Sequence, residues 1–469
     1  MIIGRKNEIE LLNSKLNSAK SEFVALYGRR RVGKTYLVRT LFKGKFTFHL
    51  TGLANVTLEE QLINFNMAMK EQHLQLKKQN ATNWMEAFAF LKQAIEKSKQ
   101  KKKIIFIDEL PWLDTPNSFF IQALEHFWNS WASARKDVLL VVCGSAASWM
   151  IQKLINNKGG LHNRVTQKMK IEPFSLQECE ELLKYKRITI DKYQIIQLYM
   201  ALGGIPFYWD AVEKGLSAAQ NIEKMCFNSN GILVGEFANL FKSLFKNAER
   251  HEAIVSTLAK KSKGLTREEI CIGSKLANGG GLTRLLDELE QSGFIRKYNP
   301  YGKKSRSSLY QLSDFFSLFH LKFMQNYKAY GKNHWIKMID SPSYRAWSGY
   351  AFEQVCLYHV SKINEALGIS GIDTEISSWK SVSDKNGAQI DLVIDRRDGI
   401  INLCEMKFSV SPFIIDKKYD AELRNKVGTF KSETKTRKSI FTTMVTTFGI
   451  KANNYSGNIQ SELNMAALF

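Results

Sequence analysis

Ser21-Glu-Phe-Val-Ala-Leu-Tyr-Gly-Arg-Arg-Arg-Val-Gly-Lys-Thr-Tyr-Leu-Val-Arg-Thr-Leu-Phe42 joins an apolar run, a basic loop between glycines and a helical pattern. Residues 21–27 read as a short buried strand and residues 36–42 as a helix. The segment between them, Gly28-Arg29-Arg30-Arg31-Val32-Gly33-Lys34-Thr35, matches the strand–GxxxxGK[ST]–helix unit. The two glycines let backbone N–H groups turn inward around phosphate oxygens, and the helix start adds the positive end of its dipole. Residues 28–35 are therefore expected to cradle the phosphates of ATP. Lys34 would reach the β- and γ-phosphates, and Thr35 would ligate Mg²⁺.

A second apolar run, Lys103-Ile-Ile-Phe-Ile107, ends in Asp108-Glu109. A strand that delivers paired carboxylates beside a phosphate loop suits Asp108 to holding Mg²⁺ through water and Glu109 to polarising the attacking water. A third run, residues 138–143, leads into Gly144-Ser145. Ser145 is either a γ-phosphate sensor or a small residue in the turn that follows a buried strand. Strands alternating with helices predict an α/β fold with a parallel, doubly covered sheet.

The bulk numbers widen this frame. A chain of 469 residues exceeds one ordinary core, so three or four domains are expected. With 44% hydrophobic and 24% charged residues the composition is globular. No apolar run reaches membrane-spanning length, and the first residues lack the apolar core of a signal peptide. The six cysteines are scattered, with no close pair for a metal or redox motif, which fits a reduced cytoplasm. The net charge of +22 points to a polyanionic partner, nucleic acid before membrane, against the alternative of a generally basic proteome.

Four segments carry a resemblance: Ile3-Gly-Arg-Lys-Asn-Glu8, residues 28–35, Ile107-Asp-Glu-Leu-Pro-Trp112 and Gly203-Gly-Ile-Pro206. Together they resemble the P-loop ATPases first noted mainly in archaea, within the STAND-type, AAA-like signalling ATPases. The likeness covers roughly the first 240 residues of the chain. It implies that Gly4 and Arg5 lie near the adenine and that Pro206 comes from a helical lid that closes on the nucleotide. Arg164, in Leu161-His-Asn-Arg-Val165, matches the arginine that follows the sensor strand, either as a γ-phosphate finger or as a surface ion-pair partner. Residues 1–175 would be the ATPase domain and 176–245 the lid.

From residue 250 the pattern changes to short helices, with Thr266-Arg-Glu-Glu269 as a capping box and Gly293 ending the helix of residues 282–292. Residues 294–298 and 308–312 flank a turn, so residues 246–325 read as a winged helix-turn-helix. Its third helix carries Asp287, Glu288 and Glu290, the wrong sign for phosphates. Lys303, Lys304 and Arg306 on the wing are the better DNA contacts, and internal packing is the alternative role.

Near the C-terminus, residues 389–396 and 400–408 are strand-like around Arg397-Asp398-Gly399. A three-residue loop with a left-handed glycine would oppose Asp391 to Glu405 and Gln389 to Lys407. Facing carboxylates on a covered sheet need a cation, and Mg²⁺ suits hard oxygen ligands. The arrangement Asp391…Glu405-Met-Lys407 resembles the PD-(D/E)xK nuclease superfamily. The likeness implies that Asp391 and Glu405 hold the metal, Lys407 positions the nucleophile and Glu353 is lent by a preceding helix. Lys426 is either a phosphate contact or a solvated surface lysine. The sequence departs from the superfamily in two places: no proline precedes Asp391, and Gln389 stands where a glutamate is common. The fold retained without cleavage, and a plain charged hairpin, are the alternatives.

The composite expectation is an α/β chain with a P-loop parallel-sheet ATPase, a helical lid, a winged helix, and a PD-(D/E)xK-like domain over residues 326–469. It would process DNA using ATP, with a protein partner and an oligomer both compatible. The alternative is a STAND-like regulatory ATPase whose last domain binds DNA or protein without cutting.

Overall fold

A computed structural model describes residues 1–469 except 76–78, 157–158, 246, 262, 303–307, 328–332 and 382–386. The chain divides into two compact units, Met1–Pro173 and Phe174–Phe469.

The first unit is built on five strands: β1 (Glu22–Tyr27), β2 (Phe46–Thr51), β3 (Lys103–Asp108), β4 (Val138–Gly144) and β5 (Gln167–Lys170). All pairings are parallel and the order is β2-β3-β4-β1-β5. Strands buried on both faces need near-continuous apolar sequence. Residues 138–143 supply it, each with no solvent exposure, as do Phe23 to Leu26 in β1. Trp84, Phe88 and Leu91 from the helix Trp84–Lys97, and Phe120, Leu124 and Phe127 from the helix Phe120–Ser130, join the same core cluster. Because the sheet is parallel, the ends of β1, β3 and β4 emerge at one edge, the place where open α/β sheets bind ligands. Tyr27 is in register with Gly144, and Ile107 with Val142.

The second unit begins with helices that include Leu176–Tyr185 and Lys192–Leu202, followed by Pro206–Asp210. After the helices Ala218–Cys226 and Glu236–Leu244 come three more, Ala248–Leu258, Arg267–Ser274 and Gly280–Gln291. Thr266 forms the expected capping box with Glu269, and Gly293, just past the third helix, takes a left-handed φ of 75°. A two-stranded antiparallel ribbon then pairs β6 (Ile295–Tyr298) with β7 (Leu309–Leu312). Lys303, Lys304 and Arg306 lie outside the described residues.

The remainder folds as a mixed sheet of β8 (Thr374–Lys380), β9 (Gln389–Arg396), β10 (Ile400–Lys407), β11 (Ser439–Thr446) and β12 (Ser461–Leu463), in the order β12-β11-β10-β9-β8. Gly399 adopts φ 87°, and the observed pairs Ile401–Asp395 through Cys404–Leu392 keep the register expected from sequence. Continued one residue further, that register would set Asp391 against Glu405. Val393, Ile401 and Leu403 cluster with Phe430 of the helix Lys417–Thr434. Phe408 meets Phe352 of the helix Pro342–Tyr358 at 5.7 Å between ring centres. Helices thus cover the hairpin from two elements.

Candidate functional site

The loop after β1 closes tightly against its neighbours. Gly28 sits at φ 142°, and a Cβ there would lie 2.4 Å from the Ile171 carbonyl oxygen. Gly33 (φ 91°) caps the helix Lys34–Leu41 with no side chain on its first N–H groups, which stay available to an anion. The helix starts at Lys34, two residues earlier than the apolar pattern implied, so Lys34 and Thr35 form its first turn. The Lys34 ammonium folds back onto the carbonyl oxygens of Gly28 (2.9 Å) and Arg29 (2.8 Å). Burial lowers its pKa, opposed by the negative charge of Glu109 and Asp108.

Asp108 and Glu109 meet this loop from β3. The Thr35 hydroxyl donates to Asp108 Oδ1 at 3.1 Å. Burial and the adjacent Glu109 raise the Asp108 pKa, a setting in which a divalent cation would be favoured. Two hard oxygen donors, one from the loop and one from the strand, fit Mg²⁺. Glu109 holds a left-handed φ of 48°, unusual for a residue with a Cβ. It accepts hydrogen bonds from the Ser145 hydroxyl (2.7 Å) and backbone N–H (3.1 Å). Ser145 directly follows β4, the strand between β1 and β3, so the sheet order sets it beside the ends of both.

Arg5 donates to the Val32 carbonyl at 3.0 Å, which ties the residues 4–5 turn to the phosphate loop. Gly4 (φ 63°) and Arg5 (φ 60°) are both left-handed. Within the loop Arg29 is buried and Arg31 is left-handed at φ 68°. Arg164 is exposed, with no ion pair among the described residues. Pro206 belongs to the second unit, where it occupies the first turn of the helix Pro206–Asp210.

The second candidate cluster gathers on the β9–β10 hairpin. Glu353 has its pKa raised to about 8, first by burial and then by Asp391, with Glu405 adding to it and Lys407 and Lys426 opposing. Three of the residues singled out from sequence, Asp391, Glu405 and Lys407, thus act on the fourth, Glu353. Gln389 Nε2 donates to Asp391 Oδ1 at 2.6 Å, while Lys407 lies 5.1 Å above the Tyr419 ring. Lys426 is neither a solvated lysine nor a free phosphate contact: its ammonium bonds Glu405 Oε1 at 2.5 Å. Tyr419, seven residues earlier on the same helix, donates to Glu405 Oε2 at 3.3 Å. That two-turn spacing was the available sequence signal, but it carries no charge pattern that names its target. Among the described residues no group of three or more His, Cys, Asp or Glu is close enough together to hold a metal.

An uncharacterized protein of Methanocaldococcus jannaschii is 25% identical over 396 residues, covering 84% of each chain. An uncharacterized ATP-binding protein of the same organism is 47% identical over 45 residues, 10% of this chain and 76% of that one. Among solved structures, a Walker-type ATPase of Pyrococcus abyssi aligns with a TM-score of 0.53 at 16% identity, over 69% of this chain and 96% of the other. No helix among the described residues is long and apolar enough to cross a membrane. Residues 2–211, just under half of the chain, match the model described as "ATPase domain predominantly from Archaea".

Proposed function

We propose that this is an ATP-hydrolysing DNA-processing protein whose last domain is a metal-dependent nuclease of the PD-(D/E)xK type. One observation carries the first half: Thr35, Asp108, Glu109 and Ser145 converge at one sheet edge beside the phosphate loop. Bound Mg²⁺ would neutralise phosphate charge between Thr35 and Asp108. Residues 28–35 grip the phosphates, and Lys34 leaves the loop carbonyls for the β- and γ-phosphates. Glu109 draws a proton from water as the water oxygen bonds to the γ-phosphorus. The bond from that phosphorus to the bridging oxygen breaks, ADP keeps its electrons, and the proton ends on inorganic phosphate. Gly4, Arg5 and Pro206 would line the base, and Arg164 would reach the γ-phosphate.

In the second unit, residues 176–245 act as the lid and 246–325 as a winged helix. Asp391 and Glu405 would hold a divalent ion that stabilises charge on the scissile phosphate, Lys407 would position the attacking water and Glu353 would complete the acid set. That Asp391, Glu405 and Lys407 all bear on the buried Glu353 carboxyl supports this reading. The Lys426–Glu405 ion pair favours a second reading, a STAND-like regulatory ATPase whose last domain binds DNA without cutting it.

Two experiments separate them. Glu109→Gln should lower ATP turnover at least about 100-fold while nucleotide affinity stays within about twofold. Retained turnover removes the role given to Glu109. A gel of plasmid DNA with Mg²⁺ or Mn²⁺ should show nicking that disappears in Asp391→Ala and Lys407→Ala. Cleavage that persists in both removes the nuclease assignment, and salt-sensitive binding with no cleavage selects the regulatory reading.

A further inference from the structure

The ribbon β6–β7 is fastened to the sheet that carries the acids. The Tyr301 N–H donates to the Ser378 carbonyl at 2.7 Å, and the Tyr301 ring lies 5.1 Å from Phe430. Arg296 donates to Gln354 on the helix Pro342–Tyr358 and to Gln311 of β7. The Tyr350 hydroxyl donates to the Leu312 carbonyl at 3.4 Å. A ribbon secured in this way cannot lie in a duplex groove about 12 Å wide without breaking these bonds. It forms one wall of a cavity instead.

That cavity has a volume of about 670 Å³, and its opposite wall carries Glu353 and Asp391. Its size falls in the range of small-ligand sites, about 300–1,000 Å³. Among the described residues, three buried polar atoms on the cavity lining have no hydrogen-bond partner: Gln354 Nε2, Ser377 Oγ and Gln389 Oε1. Gln354 is 2% exposed and Ser377 is 8% exposed. Leaving such groups unsatisfied costs free energy, so a polar occupant is favoured. The remaining lining states which occupant. Arg296, and Lys426 once it exchanges Glu405 for a phosphate oxygen, are cations for a phosphate, while Tyr298 and Tyr350 are aromatic rings on which a base can stack.

We propose that this cavity takes unpaired nucleotides of single-stranded DNA, so the acid cluster acts on strands, tails or ends and not on intact duplex. The inference rests on the nuclease reading for its chemistry, yet its binding claim can be tested apart from cleavage.

Gly349 offers a clean probe. It lines the cavity from the helix Pro342–Tyr358, and a Cβ there would meet nothing within 4 Å. Gly349→Leu fills the space while improving helix propensity. Ser377→Ala removes one unpartnered hydroxyl. Labelled single strand, blunt duplex and duplex with a single-stranded tail would be titrated with the full-length protein in Ca²⁺, by fluorescence anisotropy. The same substrates would then be incubated in Mn²⁺ and run on gels. Single strand and tail should bind at least about tenfold tighter than blunt duplex. Gly349→Leu should lose that preference and Ser377→Ala should weaken it severalfold, with unchanged melting temperatures. Equal binding of blunt duplex, or single-strand binding indifferent to both substitutions, overturns the proposal. Blunt duplex cut as fast as the tail, with Asp391→Ala inactive, overturns it while the nuclease reading stands. A preference abolished by Gly349→Leu without any cut product upholds it while the nuclease reading falls.

Discussion

Gly28 shows how one position can decide the nucleotide site. Its φ of 142° is open to glycine and strained for any other residue, and the Ile171 carbonyl stands where a methyl group would go. Gly28→Ala should therefore destabilise the first unit by about 2–4 kcal/mol and lower its melting temperature by roughly 5–15 °C. Nucleotide affinity should fall more than tenfold, read by titration with a fluorescent ATP analogue. Glu109 presents the complementary case. Its left-handed backbone is retained although it has a Cβ, and its carboxylate is fixed by two donors from Ser145. Strain of this kind persists where surrounding bonds over-determine it.

At the scale of elements, His359 links two helices. Its Nε2 accepts from the Leu176 N–H at 3.1 Å, and its Nδ1 donates to the Val355 carbonyl at 2.8 Å. Burial lowers its pKa to about 4, with the Val355 carbonyl opposing. The sign follows from linkage: the unfolded chain binds a proton near pH 6.5 that the folded chain refuses. Stability is thus fully present above pH 6.5 and is lost as pH falls through 6 and 5 toward 4. Compared with His359→Gln, the wild-type protein should lose up to about 3 kcal/mol more between pH 7 and 4, measured by denaturant unfolding. This bond spans 183 residues, and no local pattern announces it. What sequence made legible was contiguous or periodic: the phosphate loop, the Asp108-Glu109 strand end, the capping box at Thr266 and the hairpin register around Gly399. What it hid depends on distant side chains meeting. The apolar run placed the start of the helix after the loop at Tyr36, because Lys34 and Thr35 read as polar, although glycine capping begins it at Lys34. Lys426 and Arg296 look like surface cations by residue type. Only tertiary contact reveals that one neutralises Glu405 and the other bonds Gln354.

For the molecule as a whole, the charge of +22 makes binding to a polyanion a salt-dependent property. If six or more phosphates are contacted, DNA affinity should drop about 10³-fold between 50 and 200 mM salt, with a log–log slope near −5 or steeper. A flat response by anisotropy would argue against an electrostatic DNA surface. The ribbon β6–β7 also governs how the protein can be dissected. Tyr301 covers Phe430, its N–H satisfies the Ser378 carbonyl, and its hydroxyl donates to Asp395 at 3.2 Å. A fragment starting at residue 326 would strip that cover, leaving an apolar seam and widowed backbone acceptors in water. The smallest soluble piece bearing the acids must begin upstream of Ile295, whatever boundary a sequence alignment would draw.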